Sequence, residues 1–173
     1  MIPAPPARPA PLDLSIIIVS YNARADLERC LASLAEHAPS ASHEVIVVDN
    51  ASTDNSADAG RAHDVQVIET GANLGFAHAN NVGIRASLGA NVLLLNSDTI
   101  VRADAIDRLL QVFAERPDIS VIGPRLVDAE GRAELSFGRM ISPLTEWRQK
   151  RLVSGNDRRD PAISAAVDGM TRR

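Results

Sequence analysis

The stretch LSIIIVSYN, residues 14–22, decides the fold, because it joins a run of β-branched residues to a polar end. Isoleucine and valine dominate the run with little alternation of apolar and polar residues, as in strands that are covered on both faces. Comparable runs recur along the chain and alternate with segments of helical period, which predicts an α/β fold with a mainly parallel sheet. The predicted strands span residues 14–20, 44–49, 65–69, 91–96 and 119–122.

Three helices are predicted from apolar residues at helical spacing. The first takes Asn22 as its N-cap, and its apolar face carries Leu27, Cys30, Leu31 and Leu34. Cys30 is therefore expected in the core. The second and third helices are predicted over residues 75–88 and 103–115.

Length and composition are those of an ordinary globular domain, with 173 residues of which 45% are hydrophobic and 23% charged. The longest apolar runs fall far short of the roughly 18 residues of a membrane span. A single cysteine excludes a disulfide framework, and together with the lack of a secretion signal it favours a reducing cytoplasm. Residues 1–138 hold 10 basic and 18 acidic residues, so general nucleic-acid binding is not expected.

The two ends of the sequence differ in composition from its middle. Residues 1–12 contain five of the ten prolines, which predicts an extended, solvated arm. Beyond residue 125 the periodicity fades, and the stretches 128–131 and 154–161 are typical of a turn and of a loop or disordered segment. Residues 139–173 hold 8 basic and 4 acidic residues, which suits a solvated segment, a partner or a membrane surface.

Polar residues gather where three predicted strands end, in SYN at 20–22, DNASTD at 49–54 and NSDT at 96–99. The carboxyl ends of neighbouring parallel strands lie side by side, and in open α/β sheets ligands bind at that edge. Asp98 directly follows an apolar run, a suitable position for a carboxylate that holds a hard divalent cation beside phosphates. Asp and Asn at strand ends also form Asx-turns or cap helices, and Tyr21 alone is equally well explained by packing.

Several common catalytic patterns are missing from the sequence. Neither GxxxxGK nor GxGxxG follows the first strand, where VSYNARADL stands, which argues against P-loop NTPases and dinucleotide-binding dehydrogenases. The lack of glycine there also argues against nucleotidyltransferases that make sugar nucleotides. No serine lies in a GxSxG motif, and metal-ligand spacing is missing from His37, His43, His63 and His78.

Four blocks of the sequence resemble the family 2 glycosyltransferases, an inverting family with the Rossmann-like GT-A fold. The blocks are SIIIVSYNARADLERCLASL, EVIVVDNASTDNS, NLGFAHANNVGIRAS and VLLLNSDTIV, in the family's order, and the similarity covers residues 14–126. The motifs VDNASTDNS, NLGFAHANN and LLLNSD are most similar to those of a bacterial rhamnosyltransferase-like or galactofuranosyltransferase-like branch that builds cell-wall or other polysaccharides. The resemblance implies transfer of a sugar from a UDP- or dTDP-sugar to a glycan or lipid-linked acceptor.

By position, the resemblance gives individual residues roles in donor binding. Tyr21 would pack against the base, and the acceptor-only carboxylate of Asp49 would accept a hydrogen bond from the N3–H of uracil or thymine. Asp54 and the 52–54 turn would shape the same pocket. Asp98 matches the later acid of the family's DxD element and would hold Mn²⁺ or Mg²⁺ between the two phosphates. The whole implied donor set comprises Ser20, Tyr21, Asn22, Asp49, Asn50, Ser52, Asp54, Asn73, Gly75, Asn80, Asn96 and Ser97, with Asp98 as the metal ligand.

The sequence departs from the family pattern at three points. Asn96 stands where DxD has its first acid, and Asn80 stands where many relatives carry an arginine that contacts the phosphates. For Asn73 to Asn81, a loop and helix start satisfied by local hydrogen bonds is an equally good explanation. The third departure is the general base, because no acid after residue 126 lies in the family's context and we assign no role to Glu134, Glu146 or Asp168.

These observations predict a Pro-rich arm at 1–12, a donor-binding domain at 13–126 and a partial continuation at 127–173 without the acceptor-side half. We expect such a chain to be weak or inactive in sugar transfer by itself. It would need a separate C-terminal half or a contact with the inner face of the plasma membrane. A non-catalytic nucleotide-sugar-binding or partner module is the alternative. An exposed apolar sheet edge, left where the missing half would pack, would favour self-association.

Overall fold

Strands and helices alternate through residues 12–117 of the computed structural model, which describes residues 12–128. The strands are β1 (Leu12–Ser20), β2 (His43–Asp49), β3 (Gln66–Glu69) and β4 (Gly89–Asn96). The helices are α1 (Arg24–Glu36), α2 (Ser56–Arg61), α3 (Phe76–Ala86) and α4 (Ala105–Ala114), and none of these is long and apolar enough to cross a bilayer. A first unit ends at Pro117, and residues 118–128 belong to a second. The predicted α/β class is confirmed.

The four strands form one parallel sheet in the order β3, β2, β1, β4. β1 therefore lies between β2 and β4. In the register, Ser20 pairs with Asp49, and Val19 pairs with Asn96. The predicted parallel arrangement is correct, and the carboxyl ends of these three strands adjoin.

β1 supplies buried side chains to both faces of the sheet. Ile16 and Ile18 belong to one apolar cluster, which α1 and α4 cover, whereas Ile17 and Val19 belong to a second cluster, which α3 covers. All three isoleucines are fully buried. Full burial of a side chain of this size stabilises a fold by roughly 1.5–3 kcal/mol, so β1 is a large contributor to the core. Cys30 of α1 lies in the first cluster, as its helical spacing predicts.

Two predictions about local structure are wrong. Residues 119–122 form no strand within the described part of the chain, since a short β-branched run becomes a strand only with a partner backbone. Asn22 is not the N-cap of α1, because the cap residue is Ala23 and the Asn22 side chain bonds to the loop after β2 instead. The predicted loop at 154–161 and nearly all of the predicted arm and turn lie outside the described residues.

β4 forms one edge of the sheet within residues 12–128. Leu93 and Leu95 pack against the cluster that α1 covers. Val92 and Leu94 point to the opposite face, where they are 42% and 50% exposed. The edge strand thus carries two exposed apolar side chains.

At the amino edge of the sheet, Ser15 ties the start of β4 to β1 and β2. The Ser15 hydroxyl accepts a hydrogen bond from the Gly89 N–H (2.8 Å) and donates one to Glu44 Oε1 (2.6 Å). The same Glu44 oxygen accepts a hydrogen bond from the Leu88 N–H at 2.6 Å. A Cβ on Gly89 would lie 2.5 Å from the carbonyl carbon of Leu14. This separation is far below van der Waals contact, so the pairing of β1 with β4 requires glycine at this position.

Gly89→Ala should destabilise the fold by roughly 1–3 kcal/mol, because β4 must move away from β1 to admit the methyl group. The midpoint of urea unfolding, followed by circular dichroism, measures the loss. Gly123→Ala is the matched control, since a Cβ there meets no atom within 4 Å. Equal midpoints for the Gly89 variant and the unsubstituted chain would contradict this account of β4 packing.

Candidate functional site

Three strand ends meet at the carboxyl edge of the sheet, at the point where the strand order reverses. The chain runs from β1 outward to β2 and β3 on one side and then returns to place β4 on the other side of β1. In open parallel sheets such a reversal opens a crevice at the carboxyl ends of the strands. Ser20, Asp49 and Asn96 end the strands that border this crevice.

The loop after β1 is braced against the loop after β2 by hydrogen bonds. The Asn22 N–H donates to Ser52 Oγ at 3.0 Å, and the Thr53 N–H donates to Asn22 Oδ1 at 2.8 Å. Asn22 has a positive φ of 50°, a conformation that asparagine tolerates better than most residues. Asn22 and Ser52 therefore join the two loops. The polar atoms that make these hydrogen bonds are already satisfied within the fold.

Asp54 makes the second brace between the same two loops. Its Oδ2 accepts a hydrogen bond from the Arg24 N–H at the start of α1 (2.9 Å). Its Oδ1 accepts from both the N–H and the hydroxyl of Ser56 at the start of α2. These bonds stabilise the ionised carboxylate and lower the pKa of Asp54 below 3.8, with the Ser56 hydroxyl as the largest contribution.

Two buried polar atoms at the strand ends have no hydrogen-bond partner within residues 12–128, namely Asp49 Oδ1 and Ser20 Oγ. The residues are 2% and 0% exposed, respectively. The other carboxylate oxygen of Asp49 accepts a hydrogen bond from the Ser52 N–H at 3.0 Å. Asp49 therefore both closes the turn that follows β2 and keeps one oxygen unused. A buried acceptor without a partner is costly, so this feature calls for an explanation.

Asn50 links the end of β2 to the loop that precedes α3. Its Nδ2 donates to Asn73 Oδ1 (2.9 Å), and its Oδ1 accepts from the Leu74 N–H (2.9 Å). Asn73 Oδ1 also accepts from the N–H of Gly75, whose φ of 78° favours glycine. These hydrogen bonds fix the loop. They are local bonds of the kind that the sequence allows as one of two explanations for Asn73.

Two further predicted residues differ in their exposure. Tyr21 is 49% exposed, so about half of its side chain is open to solvent. Asn80 is 5% exposed, and its Nδ2 donates to the Phe76 carbonyl of its own helix at 3.0 Å. Asn80 therefore serves α3 in this conformation, whereas Asn81 beside it is exposed.

The turn after β4 carries Asn96, Ser97 and Asp98, whose oxygens belong to the hard ligands that Mg²⁺ and Mn²⁺ prefer. Asn96 and Asp98 are exposed, and Ser97 is half-buried. Within residues 12–128, no three His, Cys, Asp or Glu side chains group together as a ready metal site. The residues fit a cation that takes one protein carboxylate and completes its shell with phosphate oxygens and water, as Mg²⁺ commonly does.

Sequence reasoning missed two residues that shape this edge. The Thr70 N–H donates to the Asp49 carbonyl at 3.0 Å, and its hydroxyl lies 2.8 Å from the Ala72 carbonyl. The position of Thr70 directly after a predicted strand is enough to indicate a residue at this edge. Ser33 of α1 accepts a hydrogen bond from the Val101 N–H at 2.9 Å, and no sequence pattern predicts this contact because 68 positions separate the two residues.

Cys30 lies close to the turn that carries Asp98. Its thiol donates to the Asn96 carbonyl at 3.7 Å, a usual distance for sulfur. Burial raises the pKa of Cys30 to about 11, with a further contribution from the negative charge of Asp98. The thiol is therefore neutral near neutral pH and acts as a small buried donor.

Comparison with known proteins identifies one family. The sequence model described as "Glycosyl transferase family 2" matches residues 15–171. The N-acetylglucosaminyl-diphospho-decaprenol L-rhamnosyltransferase of Mycobacterium tuberculosis is 33% identical over 143 residues, which are 75% of this chain and 46% of that protein. The low-salt glycan biosynthesis hexosyltransferase of Haloferax volcanii is 34% identical over 123 residues, which are 69% of this chain and 38% of that protein. The chain spans less than half of the length of these relatives.

Two solved structures are similar to the described fold. The mannosyltransferase PcManGT from Pyrobaculum calidifontis, in complex with GDP-Man and Mn²⁺, superposes with a TM-score of 0.56 and 27% identity. TarS 1-349 of S. aureus, in complex with UDP, gives a TM-score of 0.53 and 26% identity. Each comparison covers 61% of this chain and 33% of the other.

Asp54→Asn should lower stability near neutral pH and flatten the loss of stability below about pH 4. A lowered pKa in the folded chain means that the stabilisation is complete above the unfolded value and is lost as the pH falls through the folded value. Urea midpoints measured across the acid range test this expectation. Asp58→Asn removes the same charge from an exposed side chain of α2, one that pairs only with Arg61 of the same helix among the ion pairs of the described residues, and serves as the control. Parallel acid profiles for Asp54→Asn and the unsubstituted chain would refute the bracing role.

Proposed function

The chain belongs to glycosyl transferase family 2 and has the GT-A fold, and from this membership we propose that its sheet edge binds a UDP- or dTDP-sugar together with Mn²⁺ or Mg²⁺. The observation that carries the proposal is that two buried atoms, Asp49 Oδ1 and Ser20 Oγ, have no hydrogen-bond partner among the described residues. An unsatisfied buried polar group costs roughly 1–3 kcal/mol. A ligand that donates a hydrogen bond to Asp49 removes that cost.

The base of the nucleotide is the part of the donor that Asp49 recognises in this proposal. A carboxylate only accepts hydrogen bonds, and uracil and thymine present an N3–H donor. Cytosine has an acceptor at the same ring position, so Asp49 discriminates against it. Tyr21 is half exposed and follows Ser20, which pairs with Asp49 in the register, and it offers a ring on which the base stacks.

The metal belongs at the turn after β4, with Asp98 as its carboxylate ligand and Asn96 and Ser97 as neighbouring neutral oxygens. When bound, it stabilises the negative charge that grows on the nucleoside diphosphate as the sugar leaves. The complex of PcManGT with GDP-Man and Mn²⁺ supports a nucleotide and a metal in a fold of this kind. The TarS complex contains UDP and supports a uridine nucleotide, whereas the PcManGT complex contains a guanine nucleotide. The choice of base in this chain is therefore argued from its own residue Asp49.

The proposed reaction is inverting transfer to a bacterial glycan or lipid-linked saccharide, of the rhamnosyl or galactofuranosyl type. The similarity to a rhamnosyltransferase supports this sugar class. Direct displacement needs a general base within hydrogen-bond reach of the acceptor hydroxyl. No such base is assigned, so we propose that this chain is weak or inactive in transfer without a further C-terminal half. Its place of action would be the cytoplasm, with peripheral contact at the inner face of the plasma membrane.

A non-catalytic module that binds nucleotide-sugars or a partner is the second candidate. Its basis is that no general base is assigned among the residues of this chain. Metal-dependent hydrolysis of a UDP- or dTDP-sugar by this chain favours the enzyme, and binding without turnover favours the module. Robust transfer by the isolated chain would overturn its proposed dependence on a further half.

Asp49→Asn should weaken UDP binding by about 10- to 100-fold and reverse the preference between UDP and CDP. Asparagine can still close the turn through its oxygen, while its NH₂ group opposes the N3–H of uracil and suits the acceptor of cytosine. Calorimetric titration with UDP, dTDP, CDP and GDP measures both effects. Asp58→Asn, which removes one exposed carboxylate from α2, is the control. If the unsubstituted chain prefers GDP or CDP, the assignment of the site to uracil or thymine is excluded.

Asp98→Ala should abolish the gain in UDP affinity that Mn²⁺ produces, while metal-free UDP binding stays within about twofold. The physical reason is that the variant keeps the base pocket but loses the only carboxylate of the turn. The measurement is UDP titration with and without Mn²⁺, preceded by circular dichroism to show that both proteins are folded. Asp104→Asn, on the same connection but beyond the turn, is a control. Retention of the full Mn²⁺ effect in Asp98→Ala would show that the metal binds elsewhere.

A further inference from the structure

Two polar side chains of α1, Cys30 and Ser33, reach both ends of the segment that carries Asp98. The Cys30 thiol donates to the Asn96 carbonyl, and the Ser33 hydroxyl accepts from the Val101 N–H at 2.9 Å. The Ser33 hydroxyl also donates to the Cys30 carbonyl at 2.8 Å, which orients its oxygen. Because the two residues are three positions apart, they lie on the same face of the helix. We call this pair the α1 clamp.

The segment between the two contacts is a tight turn with a buried end. The Thr99 N–H donates to the Asn96 carbonyl at 3.1 Å and closes the turn around Ser97 and Asp98. Val101 is 5% exposed and belongs to the same apolar cluster as Cys30. Residues 96 and 101 are thus fixed against α1, and Asp98 lies exposed between them.

Nothing in residues 12–128 holds the Asp98 carboxylate by a hydrogen bond or an ion pair. The position of this side chain therefore depends on its own backbone, and that backbone depends on its two anchor points. A metal ligand needs a position fixed to within about half an ångström, and groups behind the ligands usually provide it.

We propose that Cys30 and Ser33 are positioning residues that hold the 96–101 turn so that Asp98 meets the metal and diphosphate, an inference that rests on the proposed function. Neither residue touches the ligand. Ser33 satisfies a buried N–H, and Cys30 reinforces a carbonyl that already accepts the Thr99 bond, so Ser33 carries the larger effect.

Ser33→Ala should weaken Mn²⁺ binding to the UDP-loaded chain by about 10-fold, the scale on which groups behind metal ligands act. UDP binding without Mn²⁺ should stay unchanged, because Ser20 and Asp49 lie on other strands. Hydrogen exchange of the Val101 amide should accelerate in the same variant. Ser33→Thr keeps the hydroxyl and should restore both properties.

Ser15→Ala is the matched control. Ser15 is buried, as Ser33 is, and it also accepts a hydrogen bond from a backbone N–H, that of Gly89, but it does so at the amino edge of the sheet. It should lose comparable stability in urea and keep the affinity for Mn²⁺. If Ser33→Ala does not fold, Cys30→Ala gives the same comparison with a smaller expected loss.

The outcomes separate the inference from the function beneath it. Unchanged Mn²⁺ affinity in a folded Ser33→Ala chain, or an equal loss in Ser15→Ala, overturns the positioning role and leaves the proposed function intact. No Mn²⁺-dependent UDP binding by the unsubstituted chain overturns the proposed function and the positioning role with it. A loss confined to the clamp variants, reversed by Ser33→Thr, supports both.

Discussion

The packing of β1 between two parallel neighbours is the constraint on which the rest of the structure depends. Ile16 and Ile18 fill one face of the strand, and Ile17 fills the other. A shift of register by one residue would exchange these faces and force both clusters to repack, so the close-packed core favours the observed alignment. That same alignment places Ser20 beside Asp49 and the end of β4 on the other side. The geometry of the site is therefore a consequence of core packing.

Once the strand ends adjoin, hydrogen-bond capacity decides which polar groups remain for a ligand. Asn22 and Asp54 use their oxygens to brace two loops, and Asn50 uses its amide to fix a third. Asp49 is different, because its turn consumes one oxygen and leaves the other without a partner within residues 12–128. The resemblance treats all of these residues alike as donor-binding. The structure divides them into residues whose polar atoms hold the loops together and residues that keep a polar atom without a hydrogen-bond partner among the described residues.

The sequence predicts the strands well because buried parallel strands are continuous β-branched runs, and the four confirmed strands begin within two residues of expectation. It fails where the decisive partner is distant. Asn22 looks like a local cap, yet its acceptor is used by Thr53 across 31 residues. α2 escapes prediction because its buried residues are small and form no apolar stripe, as Ser56, Ala57, Ala59 and Gly60 show. A β-branched run at 119–122 carries no information about whether a partner strand exists.

In the proposed function, charge is the reason that a metal would matter more at this edge than its single protein carboxylate suggests. Asp49, Asp54 and Asp98 all lie at the edge where the proposed diphosphate binds, so the anion meets carboxylates unless a cation stands between them. Asn96 in place of an acid reduces the repulsion but also leaves the cation with fewer protein ligands. In the proposed function the phosphates would supply more of the coordination, and linkage would make metal and nucleotide strengthen each other by the same factor. With a single carboxylate in the turn, the proposed placement of Asp98 by the α1 clamp would decide how large that factor is.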